Sequence, residues 1–302
     1  MTKRQHNVYC AKLSDPAERY DEMVVHMKKV AEEKEELSVE ERNLLSVAYK
    51  NAVGSRRASD RILTSVQQKE KEKGNGDNEE FGSKLQVAKE YRNKVEAELR
   101  KLCCEILRLL ENGLIESASD AESKIFLFTM KGDYYRYMAE VARDKMQISS
   151  YAASANSSYA AGMKVACADL PMAHPTRLQL VLTFSVFSYE FLEDRASACT
   201  MARAAFEGAM IELDNVAEEV PHTVAKLITQ LLRVILQVDG WGHLASRRLS
   251  HDLQDVLNAR ANERDKDQFQ LNQLSANDDG GSSAFPATLG DIDNDQFQLN
   301  QI

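Results

Sequence analysis

The stretch ELSVEERNLLSVAYKN (36–51) decides the fold, because it joins a helix start signal to a helical hydrophobic repeat. Ser38 and Glu41 have the spacing of a capping box, in which each side chain accepts a hydrogen bond from the other residue's backbone N–H. The apolar residues that follow recur at the spacing of one helix face. These residues are Leu44, Val47 and Ala48. The pattern predicts a long helix from about residue 38 to residue 73.

The same helical period continues on both sides of this stretch, and no segment gives a convincing strand pattern. Only 13 glycines and 5 prolines occur in 302 residues, which favours long helices over a fold with many turns. Asp15-Pro16 is predicted to start the second helix, as N-cap and first-turn proline. The polar segment 73–78 is predicted to be a surface loop. We expect an all-α fold of about nine helices: one before Asp15, then 16–33, 38–73, 84–112, 119–143, 146–168, 176–192, 196–213 and 222–238.

The composition argues against several classes of protein. The 38 basic and 47 acidic residues give a net charge of −9, whereas nucleic-acid binding needs a basic surface. No apolar run reaches the ~20 residues that span a bilayer, and MTKRQHNVYC (1–10) lacks the apolar stretch of a signal peptide. We therefore expect no nucleic-acid partner, no membrane insertion, and a cytoplasmic or nuclear location.

The sequence also offers no catalytic or metal-binding pattern. It contains no GxSxG, HExxH or P-loop motif. The five cysteines form no pair of CxxC motifs, which indicates reduced thiols rather than a disulfide frame or a zinc site. We expect a protein that is not an enzyme and has no cofactor.

The last part of the chain differs in character from the rest. Residues 246–302 contain 5 basic and 10 acidic residues and two copies of DQFQLNQ, at 267–273 and 295–301. This composition predicts a helical domain over 1–245 followed by a mostly disordered acidic tail. The repeat is either a short linear motif or a recent duplication without function.

A basic stripe lies on the predicted helix 38–73. Lys50, Arg57 and Arg61 follow one another at spacings of seven and four residues, so their directions fall within roughly 20° of Lys50. Arginine matches a phosphate bidentately and lysine adds a point charge. The stripe is therefore either an anion site or a solvated face with ordinary charge pairs, and the spacing alone favours the second interpretation.

The segment KGDYYRYMAEV (131–141) supplies a second element of the candidate site. Arg136 and Tyr137 place a guanidinium beside a phenolic donor. Asp133 lies one helical turn before Arg136, where it could orient the guanidinium.

Seven segments together resemble a 14-3-3 protein, in order over about residues 7–240. They are ERYDEMV (18–24), ELSVEERNLLSVAYKN (36–51), SRRAS (55–59), KGDYYRYMAEV (131–141), HPTRL (174–178), FSVFSYEFL (184–192) and QLLR (230–233). The resemblance implies a cup-shaped dimer of nine antiparallel helices per subunit. Residues within 1–110 would include the dimerisation region, and residues within 36–240 would line a groove for an extended phosphoserine or phosphothreonine segment.

The resemblance also assigns roles to individual residues. The phosphate would be held by Lys50, Arg57, Arg136 and Tyr137, with Arg61 and Asp133 in support. The groove would include Val47, Leu182, Thr183, Val186, Leu231 and Ile235. The dimer contacts would be Leu13, Ala17, Arg19, Glu22, Ser59, Tyr91, Lys94 and Glu98, with Arg19 and Glu22 pairing across the two-fold axis with Glu98 and Lys94.

Five positions in the groove or near the phosphate site depart from the family pattern. Thr183 and Ile235 stand where the family has asparagines that clasp the ligand backbone, and Asp239 aligns with its groove tryptophan. Thr129 replaces a lysine, and Asp60 stands between Arg57 and Arg61. Each lost clasp costs about 1–3 kcal/mol if its partner is left unpaired, so binding could weaken about 10- to 1000-fold. Alternatively, water and Ser185 compensate.

The lead interpretation is a dimeric adaptor that binds phosphorylated client proteins. The first alternative is a divergent paralogue with an impaired groove, which acts through heterodimers or binds partners independently of phosphate. The second is a regulatory subunit that works through its outer surface or its DQFQLNQ tail.

Overall fold

The computed structural model describes residues 1–73 and 79–214, and the secondary-structure elements in this part of the chain are all helices, with no strand. The all-α fold class is therefore confirmed. The helices are α1 (Lys3–Ser14), α2 (Tyr20–Ala31), α3 (Val39–Lys73), α4 (Glu79–Leu109), α5 (Ala121–Val141), α6 (Lys145–Asp169), α7 (Pro175–Glu190) and α8 (Arg195–Asp214). None of these helices is long and apolar enough to cross a membrane. Of the loop predicted at 73–78, Lys73 is the last residue of α3 and the rest lies outside the described residues. The predicted helix at 222–238 and the tail also lie outside them.

The capping box predicted for the long helix is present at the start of α3. The Ser38 backbone N–H donates to Glu41 Oε2 at 2.9 Å, and the Glu41 backbone N–H donates to Ser38 Oγ at 3.2 Å. Arg4 also donates to Glu41 Oε1 at 2.7 Å, which ties α1 to the same carboxylate. The start of α3 is therefore fixed both by its own sequence and by a neighbouring helix.

The prediction that Asp15 caps the second helix is wrong. Asp15 has helical dihedral angles and its backbone N–H donates to Ala11 O at 3.1 Å, so it ends α1. Glu18 then adopts a positive φ of 54°, and Arg19 precedes α2 without a side-chain capping bond. Asp15 therefore extends the hydrogen-bond ladder of α1, and the chain turns at Glu18 before α2 begins.

The end of α4 also differs from the predicted boundary. The helix begins earlier than expected, at Glu79, and is followed after Leu109 by a kinked segment, Leu110–Leu114, in which Asn112 and Gly113 have non-helical dihedral angles. Gly113 has φ of 153° within this segment, a value that a residue with a side chain rarely adopts. The glycine thus marks the kink at the end of the helix.

Aromatic side chains hold α5 against α3. The rings of Tyr49 and Tyr134 meet edge to face with centroids 6.4 Å apart, and those of Tyr134 and Tyr137 meet in the same way at 5.5 Å. All three tyrosines are at least 97% buried. This packing fixes the position of the basic face of α3 relative to the polar face of α5.

A second core cluster sets α6 and α7 against the other side of α5. Tyr159 of α6 is fully buried, and its ring centroid lies 5.5 Å from that of Phe184 and 5.3 Å from that of Phe187. A Cβ added at Gly132 of α5 would lie only 2.4 Å from Cε1 of this tyrosine. The close approach of α5 and α6 therefore requires glycine at position 132.

Gly132→Ala is expected to destabilise the protein. Replacing glycine by alanine stabilises a helix by about 0.5–1 kcal/mol, but forcing a methyl group into a packed core costs about 1–3 kcal/mol. The cost of the clash with Tyr159 is the larger of the two, so the free energy of unfolding should fall. The matched control is Gly54→Ala in α3, where an added Cβ meets nothing within 4 Å. Urea unfolding should show a lower midpoint for the first variant and an equal or higher one for the second. A stabilised Gly132→Ala variant would contradict the packing described above.

Candidate functional site

The candidate site is built around one carboxylate, Glu140, that contacts two arginines from different helices. Arg57 of α3 donates through Nε to Glu140 Oε2 and through Nη2 to Oε1, both at 2.9 Å. Arg136 of α5 donates through Nη1 to Glu140 Oε1 at 3.1 Å. Two residues 79 positions apart in sequence, each predicted for the anion site, are thus brought to the same place.

The ring of Tyr137 contacts both guanidinium groups. Cζ of Arg57 lies 4.1 Å from the ring centroid, and Cζ of Arg136 lies 4.7 Å from it. Cation–π contacts of this kind favour a charged group over the ring face. Burial, followed by the nearby charge of Asp133, raises the pKa of Tyr137, so its hydroxyl stays protonated and can donate a hydrogen bond.

Asp133 contacts the other side of Arg136. Its Oδ1 accepts from Arg136 Nη2 at 3.2 Å and from the hydroxyl of Tyr159 at 2.8 Å. Burial works against the charge on Arg136, but the carboxylates of Asp133 and Glu140 hold its pKa well above the ordinary value. The guanidinium therefore stays charged and is fixed from both ends.

Two residues of this cluster were not identified from the sequence. Glu140 had a local signal, because it follows Arg136 by four residues and such pairs meet on a helix surface. Tyr159 had none, because it lies on another helix, 26 residues after Asp133. Only the packing of α6 on α5 brings its hydroxyl to the site.

The other basic residues predicted for the phosphate site, Lys50 and Arg61, lie on α3. Arg61 is exposed, and its Nε donates to the backbone carbonyl of Arg57 at 3.3 Å. Lys50 is partly buried, two helical turns before Arg57. The described cluster therefore contains Arg57, Arg136 and Tyr137 in mutual contact, with Arg61 attached through the backbone.

Asp60 is engaged by a cation outside the candidate site. Arg92 of α4 donates through Nε to Asp60 Oδ1 at 2.8 Å, and the aspartate side chain is only 13% exposed. Arg92 also pairs with Glu96 at 3.1 Å. The carboxylate that stands between Arg57 and Arg61 in sequence is thus neutralised by a third arginine.

The predicted groove residues differ in exposure. Val47, Thr183 and Val186 are partly exposed, whereas Leu182 is fully buried. Thr183 Oγ1 accepts from Gln179 Nε2 at 3.1 Å, so the hydroxyl at this departure from the family pattern is bonded within its own helix. Leu231, Ile235 and Asp239 lie outside the described residues.

The predicted dimer residues lie on α1, α2, α3 and α4 and in the turn before α2. Leu13 is 54% exposed and Tyr91 is 58% exposed, and Ala17 and Lys94 are also exposed. The predicted ions have partners within the chain, since Arg19 pairs with Glu22 and Glu98 accepts from Arg56. The hydroxyl of Ser59 donates to the carbonyl of Ser55.

No group of three or more histidine, cysteine, aspartate or glutamate side chains within 1–73 and 79–214 has the arrangement of a metal site. The chemistry of the described cluster is that of paired guanidinium groups and a phenolic donor. Such a set binds an oxyanion, and phosphate above all.

Comparison with known proteins gives a consistent result over most of the chain. The family model described as "14-3-3 protein" matches residues 10–238. A 14-3-3 protein epsilon of Drosophila melanogaster is 52% identical over 233 residues, which cover 77% of this chain and 86% of the relative. The 14-3-3-like protein A of Glycine max is 51% identical over 234 residues, covering 77% and 88%. The 14-3-3-like protein B of Hordeum vulgare is 46% identical over 255 residues, covering 84% and 94%.

Proposed function

The chain belongs to the 14-3-3 family, and on that premise we propose that it is a dimeric, non-enzymatic adaptor for phosphoserine and phosphothreonine segments of client proteins. It would regulate the activity, conformation or location of its clients in signalling, in the cytoplasm or the nucleus. Two binding grooves in one dimer would raise the affinity for clients with two phosphorylated sites through effective concentration.

The observation that carries this proposal is the convergence of Arg57 and Arg136 on Glu140. The contacts of Arg57 to Glu140 use two of its five N–H donors. The remaining N–H donors of Arg57 could hold a phosphate bidentately beside Glu140. Tyr137 adds a hydroxyl donor beside both arginines. Paired guanidinium groups held by packing lose little side-chain entropy on binding.

A second candidate function is that of a divergent paralogue with an impaired groove. It is favoured by Thr183, whose hydroxyl accepts from Gln179, because a single hydroxyl can replace one of the two hydrogen bonds of an asparagine amide but not both. This protein would act through heterodimers with intact relatives or bind partners independently of phosphate. The Asp60–Arg92 pair weakens the case, since it removes one competing carboxylate.

Phosphate-dependent binding is tested by fluorescence anisotropy with an Arg-Ser-x-pSer-x-Pro peptide and its unphosphorylated twin. The phosphorylated peptide should bind and the twin should not, and Arg57→Ala and Arg136→Ala should each weaken binding at least about 10-fold, because each removes a charge-assisted pair of hydrogen bonds. Arg108→Ala is the control, because this arginine pairs with Glu32 and lies outside the cluster. Equal binding of the two peptides by a folded protein would favour the impaired groove.

Dimerisation is proposed from the exposed apolar side chains of α1, α3 and α4. They include Tyr9, Leu13, Ile62, Val66, Val87 and Tyr91, which are between 39% and 64% exposed. Large apolar side chains left exposed on three helices favour an interaction site. The partner would be a second copy of this chain or another member of the family.

Tyr91→Glu is expected to convert the dimer to a monomer, because the dimer would bury a carboxylate in an apolar interface. The matched control is Met146→Glu on α6, at a methionine that is 81% exposed. Light scattering coupled to size-exclusion chromatography should give the molar mass of a monomer for Tyr91→Glu and that of a dimer for Met146→Glu. A wild-type protein that runs as a monomer at micromolar concentration and does not pair with a 14-3-3 relative would refute the dimer.

A further inference from the structure

We propose that Tyr159 is a positioning residue for phosphate binding, which aligns Arg136 through Asp133. The Tyr159 hydroxyl donates to Asp133 Oδ1 at 2.8 Å, and the same oxygen accepts from Arg136 Nη2 at 3.2 Å. The inference rests on the proposed function, because it concerns how the proposed phosphate site is held in shape.

Tyr159 is itself fixed by its surroundings. It is fully buried, its ring stacks on Phe184, and the absence of a side chain at Gly132 lets the ring lie against the backbone of α5. Burial, followed by the charge of Asp133, raises the pKa of Tyr159 well above its ordinary value. The hydroxyl is therefore a permanent donor in a fixed place.

The chain of contacts continues from Arg136 to the second arginine. Arg136 Nη1 donates to Glu140 Oε1, and Arg57 Nη2 donates to the same oxygen. A hydroxyl on α6 thus restricts Asp133 and Arg136 on α5, and through Glu140 it restricts Arg57 on α3. Loss of the hydroxyl leaves Asp133 free to change rotamer, which releases one side of the Arg136 guanidinium.

Tyr159→Phe keeps the aromatic packing and removes only the hydroxyl. We expect it to weaken binding of the Arg-Ser-x-pSer-x-Pro peptide about 3- to 10-fold, since a hydrogen bond to a charged acceptor is lost at one remove from the ligand. The matched control is Tyr49→Phe, because the buried Tyr49 hydroxyl has no hydrogen-bond partner among the described residues. That variant should bind as the wild-type protein does.

A double-mutant cycle separates positioning from general loss of stability. If Tyr159 acts through Asp133, Tyr159→Phe should weaken binding in the wild-type background and have no further effect in the Asp133→Ala background. A purely structural role predicts instead that both variants lower the melting temperature and that their effects on Kd multiply. Independent effects on Kd, or wild-type affinity in Tyr159→Phe, would overturn the inference.

A second measurement does not depend on the peptide. The side-chain Nε–H resonance of Arg136, assigned by its loss in Arg136→Lys, reports how firmly the guanidinium is held. It should shift or broaden in Tyr159→Phe and stay unchanged in Tyr49→Phe. If the wild-type protein binds no phosphopeptide, the proposed function fails. The resonance still decides whether Tyr159 orders Arg136, because it is measured without the peptide. An unchanged resonance in Tyr159→Phe would refute the positioning role.

Discussion

Two guanidinium groups that approach one another repel, and the candidate site depends on the carboxylate that removes this repulsion. Glu140 accepts from Arg57 and Arg136 together, and the ring of Tyr137 lies against both. Each arginine thereby gains an opposite charge and an aromatic face in a partly buried place, where electrostatic interactions are stronger than in water. The positive charge that attracts an oxyanion is stable only because this support is built into α5.

The same helix connects the candidate site to both core clusters. Tyr134 packs toward α3 and Gly132 admits Tyr159 from α6, while Asp133, Arg136 and Glu140 form the polar face between them. One helix thus has faces that pack against the core clusters and a separate face that carries the charged side chains of the candidate site. A change at Gly132 that shifts the core is expected to shift the arginines as well.

The departures from the family pattern do not act alike. Asp60 would be a competing carboxylate by sequence position, but Arg92 holds it at 2.8 Å. Thr183 bonds to its own helix through Gln179, which fits a reduced capacity to clasp a ligand backbone. The proposed phosphate site and the proposed backbone clasp are therefore separable, since a change at Thr183 leaves the contacts among Arg57, Arg136 and Glu140 in place.

The sequence by itself determined the all-α class, the capping box at Ser38 and Glu41, and the shared face of Lys50, Arg57 and Arg61, because these follow from spacings within one helix. It also indicated Asp133 as a neighbour of Arg136. Only the tertiary structure decided which distant side chains meet. Glu140 accepts hydrogen bonds from two arginines, Arg92 donates to Asp60, and Tyr159 donates to Asp133. Those contacts link residues 26 to 83 positions apart, and no local period encodes which helix packs against which. The misplaced cap at Asp15 has a local origin instead, since the chain continues α1 through Asp15 and turns at Glu18 before α2 begins.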